Sequence, residues 1–239
     1  MLATETSAYE LDFHYYTVYL LLRARGYSAQ VANDLAGFSQ YVDDNGQTEP
    51  LYCSFETRAR FHFAGSDAET ATEQDLLEAR IELTGAFALY TAGRSTGRFR
   101  VGAALHLLAD TFSHAGFTAW LNRSINCREH SFRPCIGHAD AIQSGHAPDY
   151  PYVEVAKAIS AAESIYNTIP PGPETAKLPW TSLEPDLEAA FIQASRRSNA
   201  VLRAEAIQAV IRRLLNETVT YDKARFKHEQ REFNAALGR

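Results

Sequence analysis

The 239-residue chain is 46% hydrophobic and 22% charged, enough to bury a sizeable core as one large domain or two small ones and unlike a disordered sequence. Its 23 Lys and Arg against 29 Asp and Glu leave a net charge of −6. That balance argues against a duplex-nucleic-acid binder that works by neutralising many phosphates, and leaves room for a small anionic substrate held by a metal. The longest clean apolar run, VYLLL at 18–22, falls far short of the roughly 20 residues a bilayer-spanning helix needs. The start, MLATETSAYELDFHYY, lacks the basic segment, apolar run and small-residue cleavage site of a secretory leader, so the expectation is no transmembrane segment and a cytoplasmic location.

Helical signals follow one another along the chain, and convincing strand signals are scarce. ELDFHYYTVYLLLRARG is apolar on a wide face and stops at Gly26, a residue favoured just past a helix end. SAQVANDLAGFSQYV follows with Ser28 as N-cap. TEQDLLEARIELTGAFALYTAG opens with acids in its first turn, keeps helical spacing and ends at Gly93. RFRVGAALHLLADTFSHAGFTAWL is the most apolar helix and so the central one. Residues 122–152 mix Asn, Arg, Gly, Pro and Cys without period and read as a long ordered loop, a feature that is usually functional.

YVEVAKAISAAESIYNTI resumes the helices, PPGPETAKLPW breaks them, and two polar-faced helices at 184–216 and 219–236 finish the chain. The Pro-rich break at 170–179 is the best candidate boundary, yet the terminal helices are too few to build their own core. The expected architecture is therefore all-α: one multi-helix domain over 1–239, built round a central metal-binding helix, with ligands inside 10–150 and the C-terminal helices of 183–236 packed on it. Cys53, Cys127 and Cys135 read as mostly reduced thiols; only the last two are close enough in sequence for a local disulfide.

Histidine placement carries the chemical signal. Of eight histidines, seven (14, 62, 106, 114, 130, 138 and 146) fall in the first 146 residues, mostly beside large apolar residues or glycine. In HLLADTFSH, His106, Asp110 and His114 recur at steps of four. Each step turns a helical side chain only about 40° round the axis, so the three share one face. A lone histidine on an apolar face is more often a hydrogen-bonded core residue than a ligand. An aspartate there is different, because burying it unpaired costs several kcal/mol and no Lys or Arg lies within one turn. A metal is the economical counter-charge. His106 and Asp110 could grip one ion, while the second oxygen of Asp110 could bridge to another held partly by His114.

HLLADTFSH followed by IGH, with FHYYTVYLLL and SQYVDD upstream, resembles the superfamily of zinc-dependent phospholipases C and secreted single-strand-specific nucleases, over about residues 10–150. The resemblance implies an all-helical protein holding two or three zinc ions. Carried over in the family's ligand order, it implies His14, Asp43, His62, His106, Asp110, His114 and His138 as ligands. Asp44 is the runner-up to Asp43. The family's acid after Gly-His falls on Ile142, and Asp149 replaces it ahead of Asp140 and His146. The family's third zinc usually binds the amino group of a processed N-terminal tryptophan, where this chain has Met1, and its histidine after the His-x3-Asp pair lies a little farther on than His114.

The reaction implied is hydrolysis of a small phosphoester by metal-activated water, with Asp43 or Asp44 orienting that water or accepting its proton. In an extended segment Arg58, Arg60 and His62 would project to one side, so that Arg60 could hold a phosphate oxygen, or else remain solvated; Tyr15 could line the pocket. A second expectation is an intracellular metalloenzyme of another class acting on a non-phosphate substrate, with iron as the alternative metal, because mixed His and carboxylate ligands suit iron as well as zinc. A third is a scaffold whose metals only hold the helices together.

Overall fold

A computed structural model describes residues 10–48, 60–62, 73–113, 151, 153–175, 177–194 and 200–238. All regular structure among them is helical, and the elements form the all-α arrangement expected from the sequence. The first helix, α1, opens as a π-helical segment, Asp12–Thr17, and continues as Val18–Ala24. There follow α2 (Ala29–Asp44), α3 (Glu73–Thr91), α4 (Gly97–Ser113), α5 (Val155–Thr168), α6 (Trp180–Ala194), α7 (Ala200–Leu215), α8 (Lys223–His228) and α9 (Gln230–Ala236). No helix among the described residues is long and apolar enough to cross a membrane.

Local chemistry explains where these helices begin and end. Gly26 takes φ +90°, a left-handed conformation that costs glycine nothing, and the Tyr27 N–H then reaches back to the Leu22 carbonyl at 3.1 Å. The Ser28 hydroxyl accepts from the Val31 N–H at 3.3 Å and caps α2. The C-terminal region is more divided than its apolar pattern predicts. α8 is capped by Asp222, whose carboxylate accepts from the N–H groups of Ala224 and Arg225. It stops at Glu229, a non-helical residue paired with Arg98, which turns the chain into α9.

α4 is the hub. It packs against α2, α3, α5, α9 and the π-helical start of α1, and nearly its whole circumference is buried. Such all-round burial matches the absence of a polar face in VGAALHLLAD. Its approach to α2 depends on Gly102. A Cβ there would lie 2.4 Å from the Phe38 Cβ and 2.8 Å from the Phe38 carbonyl carbon, so a larger residue cannot occupy the crossing without displacing backbone.

The larger apolar cluster joins α1 to α2, α3, α4, α5, α6 and α7. A smaller aromatic one gathers Phe38, Tyr41, Phe61, Phe99, Phe226 and Phe233, which brings α8 and α9 onto α2 and α4. Burying each such ring contributes about 1.5–3 kcal/mol. α2 and α4 belong to both clusters, and the polar residues described next lie on the faces these two helices turn toward each other.

Candidate metal centre

Three elements and one short segment deliver five ionisable side chains to one point. The π-helical start of α1 supplies His14, the last turn of α2 supplies Asp43, the segment 60–62 supplies His62, and α4 supplies His106 and Asp110. Each of these side chains is no more than 3% exposed. The π-helical segment buries six consecutive residues, Asp12 to Thr17, and the Thr17 hydroxyl donates to the Asp12 carbonyl at 2.9 Å. π turns are rare and concentrate at functional sites. Here the turn holds His14 toward α4 while Phe13 stacks on Phe191 with ring centroids 6.0 Å apart.

Asp110 is the centre of the group. One oxygen, Oδ1, lies 3.0 Å from His14 Nε2; the other, Oδ2, lies 3.0 Å from His106 Nε2 and 3.2 Å from His62 Nδ1. Asp43 Oδ1 faces the same two imidazole nitrogens, at 3.5 Å from His106 and 3.7 Å from His62. The rings of His14 and His106 stack at 3.8 Å, and those of His62 and His106 meet edge to face at 4.9 Å.

The outer nitrogens of two rings fix their tautomers. His106 Nδ1 stands 2.9 Å from the Ser39 carbonyl, and His62 Nε2 stands 2.6 Å from the Thr48 carbonyl. A carbonyl only accepts, so both nitrogens carry hydrogen and donate. In the neutral rings His106 Nε2 and His62 Nδ1 therefore present lone pairs, at 3.0 Å from each other. Asp43 Oδ1 and Asp110 Oδ2 each face both of these nitrogens, so acceptor atoms crowd together there. Acceptors repel unless a cation, metal or proton, sits among them. A ligand imidazole that donates its far N–H to a backbone carbonyl is the usual outer support of a metal site.

Electrostatics favours the ligand forms. Burial pushes the His106 imidazole below its ordinary pKa, against the attraction of Asp110. Burial would raise Asp110, but the imidazoles of His106 and His14 outweigh it and hold the carboxyl well below the usual carboxylate range. A neutral imidazole beside an ionised carboxylate is the protonation state that metal binding requires. Nearby, Asp12 is raised to about 7 by burial and the negative charge of Glu10, against the pull of Arg203.

Five predicted ligands, His14, Asp43, His62, His106 and Asp110, are thus brought together; His114, His138 and Asp149, like nearly all of the loop expected at 122–152, lie outside the described residues. Asp44 stands apart from the group. Its carboxylate accepts from the Tyr221 hydroxyl at 2.7 Å and pairs with Lys223 at 2.7 Å, because neighbouring residues on a helix point about 100° apart. Tyr15 is not a pocket residue either. Its ring is fully buried against Tyr16 and Tyr221, and its hydroxyl donates to Asn33 and to the Thr220 carbonyl.

The segment of Arg60 is helical rather than extended, which turns Arg60 out while His62 points in. Arg60 lines a cleft of about 450 Å³ with Phe61, Glu78, Arg100 and Leu107, beside the cluster but separate from it. The carbonyls of Ser39 and Thr48 were beyond sequence reasoning, since a backbone acceptor leaves no mark in residue type.

Fold and site together define the class: an all-α protein with a buried histidine and carboxylate cluster at the crossing of its central helices. Residues 9–84 and 81–236 match the family of unknown function DUF6765, and the chain belongs to that family. Comparison with curated proteins and with solved structures returns no match.

Proposed function

We propose that this chain is a metal-dependent hydrolase of small phosphoesters, with a cluster of two or three zinc ions as its working centre. The observation that carries the reading is the convergence of Asp43 Oδ1, His62 Nδ1, His106 Nε2 and Asp110 Oδ2, with the far nitrogens of both imidazoles committed as donors. Support also comes from chain order. His14, Asp43 and His62 are remote in sequence from His106 and Asp110, yet they meet in space in the order of ligands seen in the zinc-dependent phospholipases C and nucleases that the sequence resembles.

The donor set fits zinc, with imidazole nitrogen and carboxylate oxygen in a buried site. His14, Asp43, His62, His106 and Asp110 would hold the ions, Asp110 turning one oxygen toward His14 and the other toward His62 and His106. When bound, such a pair of ions lowers the pKa of a bound water and polarises a phosphoryl oxygen. Asp43 faces both imidazoles from the opposite helix, and its carboxylate can orient the attacking water or take its proton. Arg60 and Arg100 line the neighbouring cleft, and in this reading they would hold the non-reacting part of an anionic ester.

A second reading is an iron-dependent enzyme acting on a non-phosphate substrate. It is favoured by a ligand set of imidazoles and carboxylates with no sulfur among the described residues. Elemental analysis of the purified protein, paired with hydrolysis assays on a generic phosphodiester and on phosphatidylcholine, separates the readings. Two or three zinc ions per chain and cleavage of either ester support the first; bound iron without cleavage supports the second. A protein that takes up neither metal ends both.

A further inference from the structure

The Thr48 carbonyl that receives the His62 proton belongs to a turn held from the far end of the chain. Asn45, the residue that ends α2, is 1% exposed, and Thr48 is fully buried. The Thr48 N–H donates to the Asn45 carbonyl at 2.8 Å, and the Thr48 hydroxyl donates to the Val42 carbonyl at 2.7 Å, closing the turn on the end of α2. Nothing in that turn is repetitive structure, so its position depends on what grips it.

Helix α9 supplies the grip. The Asn45 side-chain amide donates to Asn234 Oδ1 at 2.8 Å and to the Thr48 hydroxyl at 3.2 Å, while Gln230 Nε2 donates to Asn45 Oδ1 at 3.0 Å. Asn234 is itself 7% exposed and held in the aromatic cluster by its neighbour Phe233. A continuous chain of contacts thus runs from α9 through Asn45 and Thr48 to His62 Nε2, the outer nitrogen of the ring whose Nδ1 faces the centre.

We propose that Asn234, acting through Asn45, is a positioning residue for His62: the C-terminal helix fixes which imidazole nitrogen the centre receives. The inference rests on the metal reading above for its consequence, but not for its geometry. Loss of the Asn234 acceptor leaves the buried Asn45 Nδ2–H without its partner on α9, with only the Gln230 bond to Oδ1 remaining, and loosens the turn that presents the Thr48 carbonyl. His106 has no such dependence, because its carbonyl partner, Ser39, lies in the middle of α2.

Cobalt(II) titration of the full chain, followed by visible absorption, tests the proposal in wild type, Asn234→Leu, Asn45→Asp and Asn234→Asp. The last keeps an acceptor toward Asn45, whereas Asn45→Asp keeps the shape and loses the donor. Cobalt affinity should fall about tenfold in Asn234→Leu and in Asn45→Asp, with an altered ligand-field spectrum, and should recover in Asn234→Asp. In metal-free protein the His62 Hε2 proton should be protected from solvent exchange in wild type and Asn234→Asp, and exchange rapidly in the other two. Unchanged affinity, spectrum and protection in Asn234→Leu and Asn45→Asp would overturn the positioning role. A wild type that binds no cobalt removes the metal reading, and the Hε2 exchange rates then decide the positioning role alone.

Discussion

His106 Nε2 and His62 Nδ1 lie 3.0 Å apart, each at the inner end of a ring whose outer nitrogen donates to a backbone carbonyl. Two lone pairs at that distance, beside two aspartates, describe a place built for positive charge.

Asp110 touches all three imidazoles, and Asp44 touches none of them. Asp110→Ala should therefore abolish metal uptake, measured by elemental analysis after dialysis, while Asp44→Asn leaves metal content intact. Equal metal content in the Asp110 variant and the wild type would show that the bridging carboxylate has been misassigned.

If the proposed metal is bound, removing it should loosen the fold, because the candidate ligands come from α1, α2, α4 and the segment at 60–62, which an ion would tie together. A ligand present at a hundred times its Kd stabilises the folded state by about 2.7 kcal/mol. At about 2–4 °C per kcal/mol for a domain of this size, chelation should lower the melting temperature by roughly 5–10 °C. Calorimetry with and without chelator reads this directly, and an unchanged melting temperature argues against a bound structural ion.

Gly102 lets α4 sit against Phe38 and Ser39, and Ser39 supplies the carbonyl that orients His106. Gly102→Ala gains helix propensity of about 1 kcal/mol but forces backbone apart, an overpacking cost of about 1–3 kcal/mol. A net loss of about 1 kcal/mol and weaker metal binding are expected, read by denaturant unfolding and by cobalt titration. Gly85→Ala, where a new Cβ meets nothing within 4 Å, should only stabilise α3.

Acid sensitivity has a source remote from the centre. Glu217 accepts from the Tyr19 hydroxyl at 2.6 Å and from Arg23 Nη2 at 2.6 Å, and Arg23 also reaches Glu174 at 2.7 Å. Burial would raise the Glu217 carboxyl, but the hydrogen bonds from Arg23 and Tyr19 hold it below its ordinary value of 4.5. A depressed folded pKa gives stability that is present above 4.5 and is lost as pH falls through the folded value. Glu217→Gln should thus cost about 1 kcal/mol at pH 7 and much less near pH 3. Unfolding curves at the two pH values check the sign; an equal cost at both would mean that the carboxylate charge contributes nothing.

Much of the helical frame was legible in local chemistry. Gly26, Ser28 and Gly93 mark helix ends because conformational freedom and capping are properties of single residues. The apolar run around His106 and Asp110 announces a buried helix with a charge that needs a counter-charge, since burial and desolvation are written in residue type and period. Division of the C-terminal region at Glu229 was not legible, and the residue that pairs with Glu229 there, Arg98, is 131 residues away in sequence.

The meeting of His14, Asp43 and His62 with that helix was decided by tertiary structure. Side chains from separate elements converge only once α1 and α2 are docked, and the docking distance at Gly102 depends on Phe38. The choice of Asp43 over Asp44 follows from the rotation of α2 about its axis, which packing against both apolar clusters sets. Tyr15 went to the core for the same reason. The tautomers of His62 and His106 are decided by carbonyls of Thr48 and Ser39, and a carbonyl is common to every residue, so only the folded chain says which one a ring will find.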